Sequence, residues 1–196
     1  MSNHVKEITL IFSENPIARA YLYLLIKKKL FANKVIYLNN RIIFNKIFLK
    51  LRYYTTFKNT LGYLKSENIL ILVKKIEEYF NLDKDFLIDM YRFENIFELK
   101  NMEFAKHHDI NNKLNINYFK NLKEQNFLNT SNKILKSILD TKKNFYHIHP
   151  GYMYKVRGAD GTLNSIKYYN NVGATFFLMD KKINNGKIIE RFEKNF

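Results

Sequence analysis

The chain contains no cysteine. That excludes a disulfide framework, thiolate chemistry and cysteine-based zinc sites. Redox therefore puts no constraint on the compartment, and cytoplasmic is the default. Tryptophan is also absent, and there are only 2 prolines and 6 glycines in 196 residues. With so few punctuating residues, no linker, low-complexity segment or internal repeat stands out. Arginine is scarce beside lysine, although base readers lean on arginine. The net charge of +15 is thus assigned to a general lysine-rich composition of the kind AT-rich coding produces, ahead of a nucleic-acid partner. No run is long enough to span a bilayer: residues 17–26 are apolar but too few, and Arg19 interrupts them. Glu7 lies early and no small-residue cleavage site follows an apolar core, so no signal peptide is expected.

What is present suits a globular chain. Hydrophobic residues make up 46% and charged residues 26%, and the length predicts one domain over residues 1–196 with a proper core. Glu7 to Phe12 is apolar and β-branched, a first strand. Ser13 is expected to cap a helix over Ile17 to Lys29, with Pro16 in its first turn and Lys27, Lys28 and Lys29 complementing its C-terminal dipole. Lys34 to Leu38 is a second strand, completing a βαβ unit. The first turn has no GxGxxG, which argues against a dinucleotide there. Helices are predicted over Asn40 to Arg52, Lys65 to Phe80, Asn81 to Met90 and Ile116 to Lys123, with a break over Thr55 to Gly62 and a strand over Phe93 to Leu99. A short strand over Asn126 to Leu128 and a helix over Asn132 to Leu139 follow. His107, His108 and Asp109 read as a polar loop rather than a metal site, because adjacent residues rarely bind one metal together.

The densest pattern lies in the last third. Asn144 to Ile148 reads as a buried strand carrying His147 and leading to His149, stopped by Pro150 and Gly151. Beyond it come Arg157-Gly158-Ala159-Asp160-Gly161, Gly173-Ala174-Thr175, Met179-Asp180 and Asn184-Asn185-Gly186. A helix over Asp160 to Asn170 should turn Leu163, Ile166 and Tyr169 inward, and strands should cover Ala174 to Met179 and Lys187 to Phe192. Alternating strands and helices predict an α/β fold, a three-layer open sheet that is mostly parallel. A strand ending in a polar pair and a tight turn is where such sheets place ligands.

This stretch resembles the formyltransferase family, which includes phosphoribosylglycinamide formyltransferase, methionyl-tRNA formyltransferase and the sugar N-formyltransferases. The resemblance rests on His149-Pro150-Gly151, Arg157-Gly158, Gly173-Ala174-Thr175, Met179-Asp180 and the asparagines before Gly186. Upstream, Phe127 to Leu135 is similar to the family's strand, Gly-Thr-Ser turn and helix, with Asn129 in place of the glycine and Thr130 and Ser131 kept. The resemblance covers about Ile110 to Glu193 and implies a Rossmann-like formyltransferase fold. It also implies an N-formyltransferase using 10-formyltetrahydrofolate as co-substrate.

The resemblance implies His149, His147 and Asn184 as catalytic residues. It implies Thr130, Ser131, Gly151, Tyr152, Met153, Arg157, Gly158, Asp160 and Asp180 as substrate or cofactor contacts, and no metal. Two catalytic positions depart from the family: its asparagine is His147 and its aspartate is Asn184. His147 could replace the asparagine as oxyanion donor through a ring N–H. Asn184 can hold a water but cannot stabilise an imidazolium by charge. Asp180 could instead be a turn residue closing its strand. The expected acceptor is a small phosphorylated or nucleotide-linked amine, an amino sugar foremost, and not a whole tRNA, since the chain ends just after the core. A catalytically degenerate member acting as a binding protein is the alternative. A basic RNA-associated domain is a third reading.

Overall fold

The computed structural model describes residues 7–13, 15–30, 32–38, 67–92, 101–153, 155–156, 161–182 and 186–195. The expected helix over Asn40 to Arg52, the break over Thr55 to Gly62 and the strand over Phe93 to Leu99 fall outside the described residues.

Seven strands form one sheet in the order β3-β2-β1-β4-β5-β6-β7. These are β1 (Ile8–Phe12), β2 (Lys34–Tyr37), β3 (Met102–Phe104), β4 (Asn126–Asn129), β5 (Asn144–Pro150), β6 (Asn171–Met179) and β7 (Gly186–Asn195). Among the described residues the helices are α1 (Pro16–Lys27), α2 (Glu67–Tyr79), α3 (Phe86–Arg92), α4 (Lys113–Asn121) and α5 (Gly161–Tyr169). From β3 to β5 every pairing is parallel. β5 pairs with β6, and β6 with β7, antiparallel. The sheet is therefore mostly parallel, as the sequence pattern implied. β3 had no counterpart in that pattern, being three residues long and only partly buried.

Strand alternation sorts the core into two layers. On one face Leu10, Phe12, Val35, Tyr37 and Leu128 pack with Ala18 and Leu22 of α1. On the other, Ile11, Ile36, Leu38, Phe127 and Phe145 pack with Ile110 and Phe119. Successive side chains of β1 and β2 thus enter opposite layers, the period of a strand buried on both faces.

Several local expectations are corrected. Asn15, not Ser13, caps α1: its Oδ1 accepts from the Ala18 N–H at 2.9 Å, while its amide donates to the Ser13 carbonyl at 2.9 Å. The helix expected over Asn132 to Leu139 is an irregular loop followed by a 3-10 turn, Ser137–Thr141. The cause is Asn111, whose amide donates to the Ile134 carbonyl at 2.9 Å and whose Oδ1 accepts from the Lys136 N–H at 2.7 Å. Backbone groups that an α-helix would pair internally are taken from outside. On α5, Leu163, Ile166 and Tyr169 point outward at 65%, 41% and 46% exposure, and Gly161 and Ser165 are the buried positions. A Cβ on Gly161 would lie 1.7 Å from the Pro150 carbonyl oxygen. The helix start sits so close to β5 that only small residues fit its inner side.

Candidate functional site

The site forms where the parallel part of the sheet meets the antiparallel part. β5 belongs to both, and His147 and His149, two apart on it, share a face. Across the ladder His147 faces Phe177 and His149 faces Thr175. A cleft of about 720 Å³ opens beside them, within the range of small-molecule sites. Thr130, Ser131, His147, His149 and Asp180 line it. Ile134, Leu135, Phe177 and Met179 add apolar wall, and Lys133, Lys181 and Lys182 add positive charge.

The loop after β4 is built before any ligand arrives. Thr130 donates through both its N–H and its hydroxyl to the Ile11 carbonyl, at 3.1 and 2.9 Å. Asn129 accepts through Oδ1 from the Ser131 N–H and hydroxyl, at 3.2 and 2.6 Å. Asn129 is the last residue of an extended strand, so its side chain, not a left-handed backbone, shapes the turn. Its own carbonyl then accepts from His147 Nδ1 at 2.9 Å.

That last contact defines the imidazole. A carbonyl oxygen only accepts, so Nδ1 must carry the proton. Burial holds the His147 pKa below its ordinary value of 6.5, outweighing the Asn129 contact, which acts the other way. His149 is also held low, by burial first and then by the neighbouring His147, against a backbone hydrogen bond with Val156. Both rings are therefore neutral near pH 7. His149 is 3% exposed, and its Nε2 is buried without a hydrogen-bond partner among the described residues.

The expected contacts divide into three groups. Gly151, Tyr152 and Met153 lie outside the cleft lining, folded back against β6. There the buried Thr175 hydroxyl donates to the Gly151 carbonyl at 2.8 Å and accepts from the Met153 N–H at 2.9 Å. Gly173 permits the approach, since a Cβ there would meet the Phe192 carbonyl at 3.0 Å and the Tyr152 nitrogen at 3.3 Å. The Tyr152 ring lies under the Arg191 guanidinium, 4.9 Å from its centroid. Asp180 lines the cleft and also closes its strand, accepting from the Lys182 N–H at 2.8 Å. Arg157, Gly158, Asp160 and Asn184 fall outside the described residues.

Sequence reasoning missed Asn15, Tyr21 and Thr162 on the lining. Burial pushes the Tyr21 hydroxyl up to about 12. The Asn-Pro signal of a helix start could have found Asn15; nothing local marks Tyr21. His107, His108 and Asp109 form a loop pinned by buried Asn115, which accepts from the Lys106 and His107 N–H groups and donates to the His107 and Asp109 carbonyls. Among the described residues no group of three or more histidine or acidic side chains is placed to hold a metal. None of the helices among them is long and apolar enough to cross a membrane.

No protein-family model matches the sequence, and no curated protein matches it. Solved structures do. The phosphoribosylglycinamide formyltransferase of Campylobacter jejuni superposes with a TM-score of 0.54 at 12% identity, over 96% of this chain and 81% of that one. That of Streptococcus pneumoniae gives 0.53 at 10% identity, over 97% and 83%. A sugar N-formyltransferase from a Shewanella species gives 0.52 at 15% identity, over 96% of this chain but only 57% of that one. Likeness at such identities speaks to architecture. The seven-stranded, mostly parallel open sheet is that of a formyltransferase-like fold.

Proposed function

We propose that the protein is an N-formyltransferase that moves a formyl group from 10-formyltetrahydrofolate to an amine, with the reaction at His147 and His149. The observation that carries this reading is the pair of neutral imidazoles on one face of β5, at the wall of a cleft large enough for a folate ring system. Formyl transfer to an amine needs a proton acceptor and a donor to the developing oxyanion, both of which imidazole can supply. The cleft suits the co-substrate: Ile134, Leu135, Phe177 and Met179 offer an apolar wall beside the Thr130–Ser131 turn. Lys133 and Lys182 favour an anionic acceptor, such as a phosphorylated or nucleotide-linked amino sugar, while Lys181 is ion-paired with Asp140. The resemblance alone gives Arg157 and Asp160 to substrate or co-substrate and lets Asn184 hold a water.

A binding protein without turnover is the second reading. It is favoured by the buried Nε2 of His149 and by the carboxamide at Asn184, where the resembled enzymes carry a carboxylate. Turnover of 10-formyltetrahydrofolate with a panel of nucleotide-linked amino sugars separates the two. Formylated product is expected with the native chain, loss of it with His149→Ala, and a gain with Asn184→Asp. Folate binding without product in both the native chain and Asn184→Asp would leave the binding-protein reading standing.

A further inference from the structure

We propose that His147 is the proton carrier of this reaction: its Nε2 takes the proton from the attacking amine and hands it to the departing donor nitrogen. The inference rests on the formyltransferase reading but reverses the role expected for this position. An oxyanion donor needs an N–H facing the substrate. In the neutral ring the one N–H is on Nδ1 and is spent on the Asn129 carbonyl at 2.9 Å. Nε2 is consequently a bare lone pair, and a lone pair accepts.

Three features make this a held arrangement. Asn129 is fixed by the end of β4 and by its own bonds to Ser131, so the carbonyl cannot follow a rotating ring. The Phe177 ring meets the imidazole edge-on, with centroids 5.9 Å apart, and fixes its plane. His147 is part-exposed on the cleft, whereas His149 is 3% exposed with Nε2 buried. Both rings line the cleft, and His147 is the more exposed of the two.

The transfer balances. The amine nitrogen bonds to the formyl carbon, and the proton it sheds goes to Nε2. The imidazolium is transient: Nδ1–H still donates to Asn129, while burial disfavours the charge. Its new Nε2–H then protonates the donor nitrogen as the bond from that nitrogen to the formyl carbon breaks, which restores the neutral ring. Among the described residues, the other titratable groups on the cleft are Tyr21, Lys133, His149, Asp180, Lys181 and Lys182.

Long-range proton–nitrogen NMR of the full chain labelled with 15N-histidine reads the tautomer and each ring's titration without any substrate. Protonated Nδ1 and bare Nε2 are expected for His147, and an Nε2–H tautomer would sink the proposal. In the formyl-transfer assay, the acid limb of kcat/KM should follow the His147 titration, below pH 6.5 because its pKa is depressed. His147→Asn should remove that limb and lower kcat/KM about 100-fold or more. An asparagine variant that keeps the native rate, or a limb that follows the His149 titration instead, overturns the role of His147 and leaves the formyltransferase reading intact. A native chain that shows the Nδ1–H tautomer but yields no formyl transfer overturns that reading, and this role with it.

Discussion

β1 and β7 lie in one sheet and obey opposite rules. Four of the five residues of β1 are buried, and none of the ten in β7 is. β1 is flanked by parallel neighbours and covered on both faces, so its sequence is a continuous apolar run. β7 pairs antiparallel with β6, and its sequence mixes Lys187, Glu190, Arg191, Glu193 and Lys194 with Ile189 and Phe192 at 49% and 56% exposure. The ladder also slips at Phe176 and Phe177, where Glu190 and Ile188 are the partners and Ile189 is extra, a bulge that kinks the strand. Parallel strands derive their stability from two-sided burial, and the antiparallel end tolerates water. The candidate site occupies the border between the two regimes, where one strand, β5, is held rigid by the core on one side and leaves a cleft on the other.

That contrast can be broken by substitution. Phe127 is fully buried, with the rings of Phe119 and Phe145 at 5.1 and 5.4 Å between centroids. Phe127→Ala is expected to cost about 3–5 kcal/mol in urea unfolding. A loss under about 1 kcal/mol would mean that the parallel half is not the stability core.

Gly161 marks the border itself. Gly161→Ala would place a Cβ 1.7 Å from the Pro150 carbonyl oxygen and 3.1 Å from His149 Nε2. A loss of about 1–3 kcal/mol is expected, because backbone and not a flexible side chain must give way. The His149 resonances should shift with it. Unchanged stability and unchanged resonances would show that α5 is free to move off β5.

Acid should weaken the border before it weakens β7. His147 and His149 are depressed below 6.5 in the folded chain. As pH falls past about 6.5 the unfolded chain takes up protons that the folded one refuses, so stability is full above that point and declines below it. Urea midpoints measured at about pH 7.5 and about pH 5.5 should fall with acid, and the His147→Asn variant should fall less. An equal fall in both would assign the effect to other groups. The smallest effect is expected on β7: Phe192→Ala should stay within about 0.5 kcal/mol of the native chain. A larger loss in the unfolding midpoint would show that β7 is covered in solution.

The sequence carries the class of fold, because two-sided burial writes itself as apolar runs such as Leu10 to Phe12 and Val35 to Leu38, and because breakers are so few that Pro150 and Gly151 can only end a strand. It also determined that two histidines share a face, since strand periodicity is local. Tertiary structure alone decided what those histidines are. The tautomer of His147 depends on a carbonyl 18 residues away, delivered by the neighbouring strand. Asn111 unwinds the expected helix from a distance of 23 residues, and the face of α5 is set by the closeness of Pro150 and not by its own periodicity. Periodicity reports which side of an element is apolar; which polar group meets which partner depends on chain segments that only the folded sheet brings together.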